Sequence, residues 1–367
     1  MNNFKRINDL TGWVVFAISL FVFTATVEPT ASFWDCGEFI ACAFKLQVPH
    51  PPGAPLFLLL GRLFSMLAGS DVTKVAYWVN MMSVLSSAFT ILFMHWTIVM
   101  IGRKVYNKKF SELSVGQCLT LLGAGVVGSL AYAFSDTFWF SAVEAEVYAM
   151  SSFFTALVVW AAFKWELIED ESAANRWLLL VAYIVGLSIG VHLLNLVTVP
   201  ALALMYYFKK TAVPTYKGGF AALFIGFAIL GVINSFVIPG IPSLAFQFEL
   251  LFTNGLGLPY GVGVMVFLIS FVGAIVYGIL YSIKKEKVVL NLSLLAFVFV
   301  LIGYLSYNLA LVRSGYNTPI NENDPSNILN YVKYLKREQY GERSLFFMDQ
   351  FTLARLKVQS RAILSIK

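Results

Sequence analysis

The chain has 367 residues, 59% of them hydrophobic and 13% charged, with a mean hydropathy of +0.75. Soluble domains carry about 25% charge, so one large soluble core is excluded and a polytopic membrane protein is indicated. The net charge of +6 does not point to nucleic acid, because the basic residues fall in short clusters between apolar runs.

A spanning helix needs about 20 mostly apolar residues. On that criterion nine spans are predicted, at 10–29, 75–101, 116–135, 147–165, 177–191, 194–208, 219–238, 261–283 and 288–312. No small-x-small cleavage site follows the first, which reads as a retained helix. The fifth and sixth are short, and their shared stretch WLLLVAYIVGLSIGVHLLNLVTVPALALMYYF also fits one broken helix. Charge favours two crossings. With a cytoplasmic start, one side carries fourteen basic residues, from Lys5 and Arg6 through Arg103, Lys104, Lys209 and Lys210 to Lys287. The other side, up to residue 312, carries only Lys45, Arg62 and Lys74. That asymmetry places the long loop 30–74 on the non-cytoplasmic face. A single crossing would move Lys209, Lys210, Lys284 and Lys285 to the wrong side.

The first loop is only half polar. Within it GEFIACAFKL and PLFLLLGRLFSML are amphipathic or apolar helices too short to span, expected to lie in the interface plane. Its opening, FWDCGEFIACAFKLQVPHPPG, is unusual for an anchor. Asp35 and Glu38 are three apart and share a helix face. The same spacing is a capping box, with Asp35 as N-cap and Glu38 closing it, and both readings stand. His50 lies in P-H-P-P-G, where prolines 49, 51 and 52 fix φ and Gly53 permits a sharp turn. The segment is either a rigid connector or a rigid mount for a catalytic side chain.

Further along, Glu144, Glu146 and Tyr148 open the fourth span in AVEAEVYAM. N-terminal acids complement a helix dipole, but two glutamates facing different ways at a membrane entrance ask for more. GLSIG holds Gly186 and Gly190 at small-xxx-small spacing, a packing signal. His192 and Asn195 mark the tip between the two short spans, and Arg313 begins a polar, turn-rich tail where the last span emerges. Acidic groups at membrane depth default to a functional reading, and Glu28, Asp35, Glu38, Asp71, Asp136, Glu144, Glu146 and Glu249 fall on one face. Cys36 and Cys42, six apart on a helix, sit about 9 Å apart along its axis, too far to bridge. Three scattered histidines give no metal-ligand spacing, and no Walker loop or dinucleotide fingerprint occurs, so neither metal nor cofactor is expected.

The stretch TASFWDCGEFIACAFKLQVPHPPGAPLFLLLGRLF resembles the opening of the transmembrane-protein-260-like family of protein O-mannosyltransferase-like proteins, glycosyltransferase family 117. SAVEAEVYAM and the NENDPSN stretch are similar to further blocks of its bacterial branch. The resemblance covers most of residues 10–345. It implies an all-α polytopic membrane protein with a GT-C-like helical bundle over 1–312, set in a bacterial inner membrane with its site facing the periplasm. It also implies a sugar, mannose or another hexose, taken from a polyprenyl-phosphate carrier and passed to a hydroxyl on a protein or glycan. The family's acidic first-loop motif falls here on Asp35 and Glu38, and its His-Pro-Pro-Gly on His50 to Gly53. Family members continue into a longer soluble region, so residues 313–367 read as an external polar tail beginning such a region.

Residue chemistry and resemblance agree on mechanism. A lipid-phosphate leaving group is already anionic, so no protein acid is required, in contrast to a glycosidase. One base for the acceptor hydroxyl and positive charge at the phosphate suffice. Asp35 is expected as the base and Glu38 as its orienter or a sugar-hydroxyl contact, with His50, Glu144, Glu146, Tyr148 and Asn195 contacting substrate and Arg62, His192 or Arg313 near the phosphate. The competing class is a transporter or lipid flippase using the same acids. Transporters show paired repeats and broken helices at mid-membrane, whereas these acids gather at one surface. A structural scaffold would leave the carboxylates unexplained.

Overall fold

The computed structural model describes residues 2–341. Its regular structure is helical, and among the described residues the only strand-like pairing is an isolated parallel bridge between Val48 and Asn321. The helices are α1 (Asn2–Ala25), α2 (Cys36–Lys45), α3 (Pro55–Ser65), α4 (Val75–Tyr106), α5 (Val115–Ala133), α6 (Asp136–Ala142), α7 (Val147–Leu167) and α8 (Glu171–Ile189). They continue as α9 (Val199–Lys210), α10 (Tyr216–Val232), α11 (Gly240–Leu250), α12 (Val262–Lys284), α13 (Val288–Tyr304), α14 (Asn308–Ser314) and α15 (Ile328–Lys336).

The bundle is built round α4, which packs against α1, α5 and α7. At about 48 Å long by the 1.5 Å rise per residue, α4 exceeds a bilayer's hydrocarbon core of about 30 Å. Its Asn80, Ser83, Ser87, Thr90 and His95 are all buried inside the bundle. A second pair, α8 and α13, crosses closely because neither has a side chain at the crossing: a Cβ on Gly186 would meet Val300, and one on Gly303 would meet Gly186.

Eight helical runs among the described residues are long and apolar enough to cross a membrane. The expected sixth span is shorter than predicted. After α8, residues Leu193–Thr198 form a 3₁₀ helix and α9 adds twelve residues. α9 nevertheless runs back to the end from which α8 started. There Lys210 Nζ lies 2.6 Å from Glu171 Oε1, and Lys209 Nζ donates to the carbonyls of Trp165 and Ile168. Charge therefore indicated the return correctly, while length by itself did not.

Two other expectations are corrected. The stretch left between the predicted spans 219–238 and 261–283 is helical, with α11 packed on α12 and α15. Glu249 within it is buried and accepts from the amides of Gly261 (2.7 Å) and Val264 (3.0 Å), so it caps the start of α12. The second concerns the tail from residue 313. Val48 N donates to Ile320 O (3.0 Å), Glu322 N to Val48 O (3.1 Å) and Ile320 N to Gln47 Oε1 (2.6 Å). α15 then buries Tyr331, Tyr334 and Leu335 in the main core. Residues 320–336 are thus part of the bundle's end and not a free polar tail; those beyond 341 lie outside the described residues. Nor do α2 and α3 merely lie in a lipid plane. Phe39, Cys42, Ala43, Phe57 and Leu58 are buried in the same core.

Candidate active site

The loop after α1 is held by α4 and by the turn before α7. Asn80 Nδ2 donates to the carbonyls of Glu28 (2.6 Å) and Thr30 (2.9 Å), and Glu28 N donates to Val143 O (3.0 Å). These bonds bring residues 28–36 beside 143–147. Just before Asp35, Trp34 has φ +59°, a left-handed conformation costly for a bulky residue, and its ring is 87% exposed.

Asp35 occupies the N-cap position of α2, yet its side chain makes no capping hydrogen bond. Glu38 does not close a capping box either. Its Oε1 accepts from His50 N (2.8 Å), and its Oε2 lies 2.7 Å from His50 Nδ1. The helix-start signature in the sequence is therefore used to hold the histidine twelve residues on. Both shifts follow. Against burial, the His50 hydrogen bonds draw the Glu38 carboxyl below its ordinary value. The bond to Glu38 raises the His50 imidazole above its own, aided by the charges of Asp35 and Glu146 and opposed by burial. The other ring nitrogen, Nε2, faces Asp35 Oδ2 at 3.9 Å. That is too long for a direct hydrogen bond and wide enough for one oxygen bonded to both.

The mount for His50 is firm. Gly53 N donates to His50 O (2.8 Å), Leu56 N to Gly190 O (2.8 Å), and the buried Tyr334 hydroxyl to Pro49 O (2.7 Å). Gly53 has φ +73° and lies against the Tyr334 hydroxyl, so any side chain there would be both strained and displaced.

Glu144 and Glu146 are both buried, at 3% and 6% exposure, beside this cluster. Glu146 Oε2 accepts from the first amide of α7, Val147 N, at 3.2 Å. Burial pushes its carboxyl up to about 7, and the charges of Asp35 and Glu144 add to that although the amide opposes it. The buried Cys36 thiol is driven far up by burial and by Glu144 and Glu146. Four carboxylates thus meet with one imidazole.

The remaining expected residues divide into two groups. Tyr148 is half exposed and its ring lies 5.5 Å from that of His192. His192 Nδ1 accepts from Leu194 N (3.1 Å), which leaves Nε2 as its free position, and burial, then the charge of Arg337, push its pKa down. Arg337 was not anticipated. It is exposed at the C-cap of α15, and the i, i+3, i+4, i+7 pattern of Ile328, Tyr331, Val332 and Leu335 is the sequence signal that announces that helix. Arg62, Arg313 and Asn195 are engaged elsewhere. Arg62 donates to Phe44 O, and Arg313 to Leu46 O (2.6 Å) and Lys45 O (3.0 Å), so both guanidinium groups satisfy carbonyls at the C-terminus of α2. That end is about 14 Å along the helix from Asp35. Asn195 is fully buried and donates to Ser188 Oγ (2.7 Å).

One oxygen each of Asp35 and Glu38 and a ring nitrogen of His50 lie within 4.8 Å of one another, a grouping that the sequence spacing did not announce. Two carboxylates and an imidazole suit a divalent ion in kind. Here, however, Glu38 already takes His50 Nδ1 and draws the imidazole pKa above its ordinary value, which favours a proton over a metal on the ring.

Comparison with known proteins bears on the first part of the chain. Residues 35–215 match the model of the Protein O-mannosyl-transferase TMEM260 N-terminal domain. That segment, 181 of the 367 residues, is similar to the TMEM260 family. It begins at Asp35 and takes in α2 to α9, hence every carboxylate of the cluster. A "Protein O-mannosyl-transferase TMEM260" of Mus musculus is 31% identical over 181 residues, 49% of this chain and 22% of that protein. A "Protein O-mannosyl-transferase tmem260" of Dictyostelium discoideum is 25% identical over 146 residues, 40% of this chain and 16% of that protein. The aligned part thus spans less than a quarter of either relative's length. No solved structure matches.

Proposed function

We propose that the chain is the membrane-embedded catalytic part of a glycosyltransferase. It moves a sugar, mannose by kinship with the named relatives, from a polyprenyl-phosphate carrier to a hydroxyl acceptor, a serine or threonine of a protein, on the non-cytoplasmic face. The observation that carries this reading is the Asp35–His50–Glu38 arrangement, mounted on a rigid loop at the bundle's end and open to solvent.

Asp35 is the base. Its side chain is the most exposed of the three, at 57%. The acceptor oxygen sits between Oδ2 and His50 Nε2 and gives its proton to Asp35 as it attacks the anomeric carbon. The carbon–phosphate-oxygen bond breaks on the opposite side, the electron pair leaves with the phosphate, and the configuration inverts. His50, held as imidazolium by Glu38, fixes the oxygen's position and offsets the charge of the surrounding carboxylates. Glu146, with its carboxyl near 7, is protonated about half the time at neutral pH and can donate to a sugar hydroxyl. With Arg62 and Arg313 engaged by carbonyls, the departing phosphate is assigned to His192 and Arg337.

The test is incubation of membranes containing the protein with radiolabelled polyprenyl-phosphate-mannose. Label covalently attached to protein, absent with Asp35→Asn, is the expected result. Label carried across the membrane but still lipid-linked would overturn it in favour of a flippase.

A further inference from the structure

A large cavity lies away from the carboxylate cluster. It opens at the opposite end of the bundle, among the N-terminus of α1 and the C-termini of α4 and α7, and measures about 820 Å³. Along α7 the two ends are about 31 Å apart.

The cavity is two-toned. Four cationic side chains line it: Lys5, Arg103, Lys109 and Lys164. Of the acids in the wall, Glu166 is already paired with Lys104, which leaves Asp9 and Glu169 to oppose four positive charges. Among the described residues neither Lys5 nor Lys109 has a side-chain ion pair, and Arg103 Nε has no acceptor although one of its terminal nitrogens donates to Lys108 O (3.2 Å). The rest of the wall is largely aromatic, with Trp13, Trp96 and Trp160. The buried Trp160 Nε1 also lacks an acceptor. Unmatched donors beneath a cationic rim, on an apolar floor, call for an oxyanion that carries its own hydrophobic tail. A free phosphate would satisfy the rim and leave the indoles bare. Tryptophan and basic side chains at helix ends are also the groups that sit at lipid headgroup level.

We propose that this cavity binds the phosphate group of an anionic phospholipid, with the headgroup among Lys5, Arg103, Lys109 and Lys164 and the start of the chain against the tryptophans. The site is separate from the glycosyl-transfer centre, and the proposal does not depend on that reading. Each neutralised contact at a lipid phosphate is worth about a few-fold to tenfold in affinity.

The test uses the full-length protein in a neutral detergent, titrated with short-chain phosphatidylglycerol and followed by melting temperature and by tryptophan fluorescence. Saturable stabilisation is expected. It should weaken at least tenfold in the Lys5→Gln/Lys109→Gln double variant, whose melting temperature without lipid should match the parent's. Inorganic phosphate at millimolar concentration should neither stabilise nor compete, and short-chain phosphatidylcholine should bind much more weakly. A second readout needs no substitution: phosphatidylglycerol brominated near the head of its chain should quench fluorescence saturably, reversed by unbrominated phosphatidylglycerol alone. Equal affinity in the double variant, equal response to phosphatidylcholine, or competition by inorganic phosphate as strong as by lipid would each overturn the assignment.

Discussion

The two ends of α7 handle charge in opposite ways. At the C-terminal end Glu166 pairs with Lys104, Lys209 caps the carbonyls of Trp165 and Ile168, and Lys210 meets Glu171. These bonds tie α4 and α9 to α7 and α9 to α8, and each contributes modestly at an exposed surface. At the N-terminal end Glu144 and Glu146 are buried beside Asp35 and Glu38, and among the described residues the only basic side chain within ion-pair distance of this group is His50. Like charges gathered in that way cost stability, an arrangement typical of places where chemistry needs it. One end of the helix is assembled for cohesion and the other for reactivity.

The sharpest way to break that contrast is Asp35→Asn. Glycosyl transfer should fall about 100-fold or more, the scale of general-base catalysis, with the melting temperature unchanged because the side chain makes no capping bond. Near-normal turnover would remove Asp35 from the mechanism. Glu38→Gln comes next. It keeps a hydrogen-bonding group beside His50 but removes the charge that raises the imidazole pKa. Transfer should drop on the order of 10-fold, and the rate should fall off at lower pH than in the parent, as His50 loses its proton sooner. An unshifted pH profile would make Glu38 purely structural.

Much of this was legible beforehand. Apolar runs of about 20 residues located the long spans, and charge asymmetry indicated that α9 turns back although it is too short to have been scored on length. The residues that the fold gathers, Asp35, Glu38, His50, Glu144 and Glu146, were all named from the sequence, but so were Glu28, Asp71, Asp136 and Glu249 on the same face, and nothing local separated the two sets. The cluster's wiring was not legible. Asp-x-x-Glu before an apolar run is read locally as a cap, and only the tertiary fold shows that His50, mounted on a proline-fixed turn, captures Glu38 instead. Arg62 and Arg313 misled for a related reason. Cations near a membrane surface suggest phosphate, but the carbonyls at the end of α2 are equally good acceptors and lie closer. The docking of α15 was missed because a polar, turn-rich stretch masks a nine-residue helix with one apolar face.

Those two arginines give the next test. Each donates a charged hydrogen bond to a main-chain carbonyl, worth about 1.5–3 kcal/mol. Arg62→Ala and Arg313→Ala should therefore lower the melting temperature while leaving the KM for the lipid donor unchanged. Arg337→Ala should do the reverse. A raised donor KM with unchanged stability in Arg313→Ala would return that residue to the phosphate.

Glu146→Gln probes the acidic end through pH. The carboxyl goes from an ordinary 4.5 to about 7 in the folded protein. Between those values the folded state holds a proton that the unfolded state has released, so the stability contributed by Glu146 falls as pH rises from 4.5 to 7 and then levels off. At about 1.4 kcal/mol per unit the fall is of order 3 kcal/mol. The glutamine variant should lack it and should melt higher than the parent at pH 8. Parallel pH curves for the two proteins would show that the carboxylates tolerate one another through solvent and would erase the contrast between the ends of α7.

The smallest expected effect is that of a chelator. The Asp35, Glu38 and His50 ligand atoms are close enough to hold an ion. Binding one would require Nε2 of His50 to give up its proton, and the pairing with Glu38 works against that release. Transfer activity should therefore survive EDTA and show no gain on adding manganese or magnesium. Loss on chelation, restored by one divalent ion in the parent but not in His50→Gln, would instead make His50 Nε2 a ligand. The same 3.9 Å gap to Asp35 would then be bridged by metal and not by the acceptor oxygen, and Asp35 could no longer be the free base.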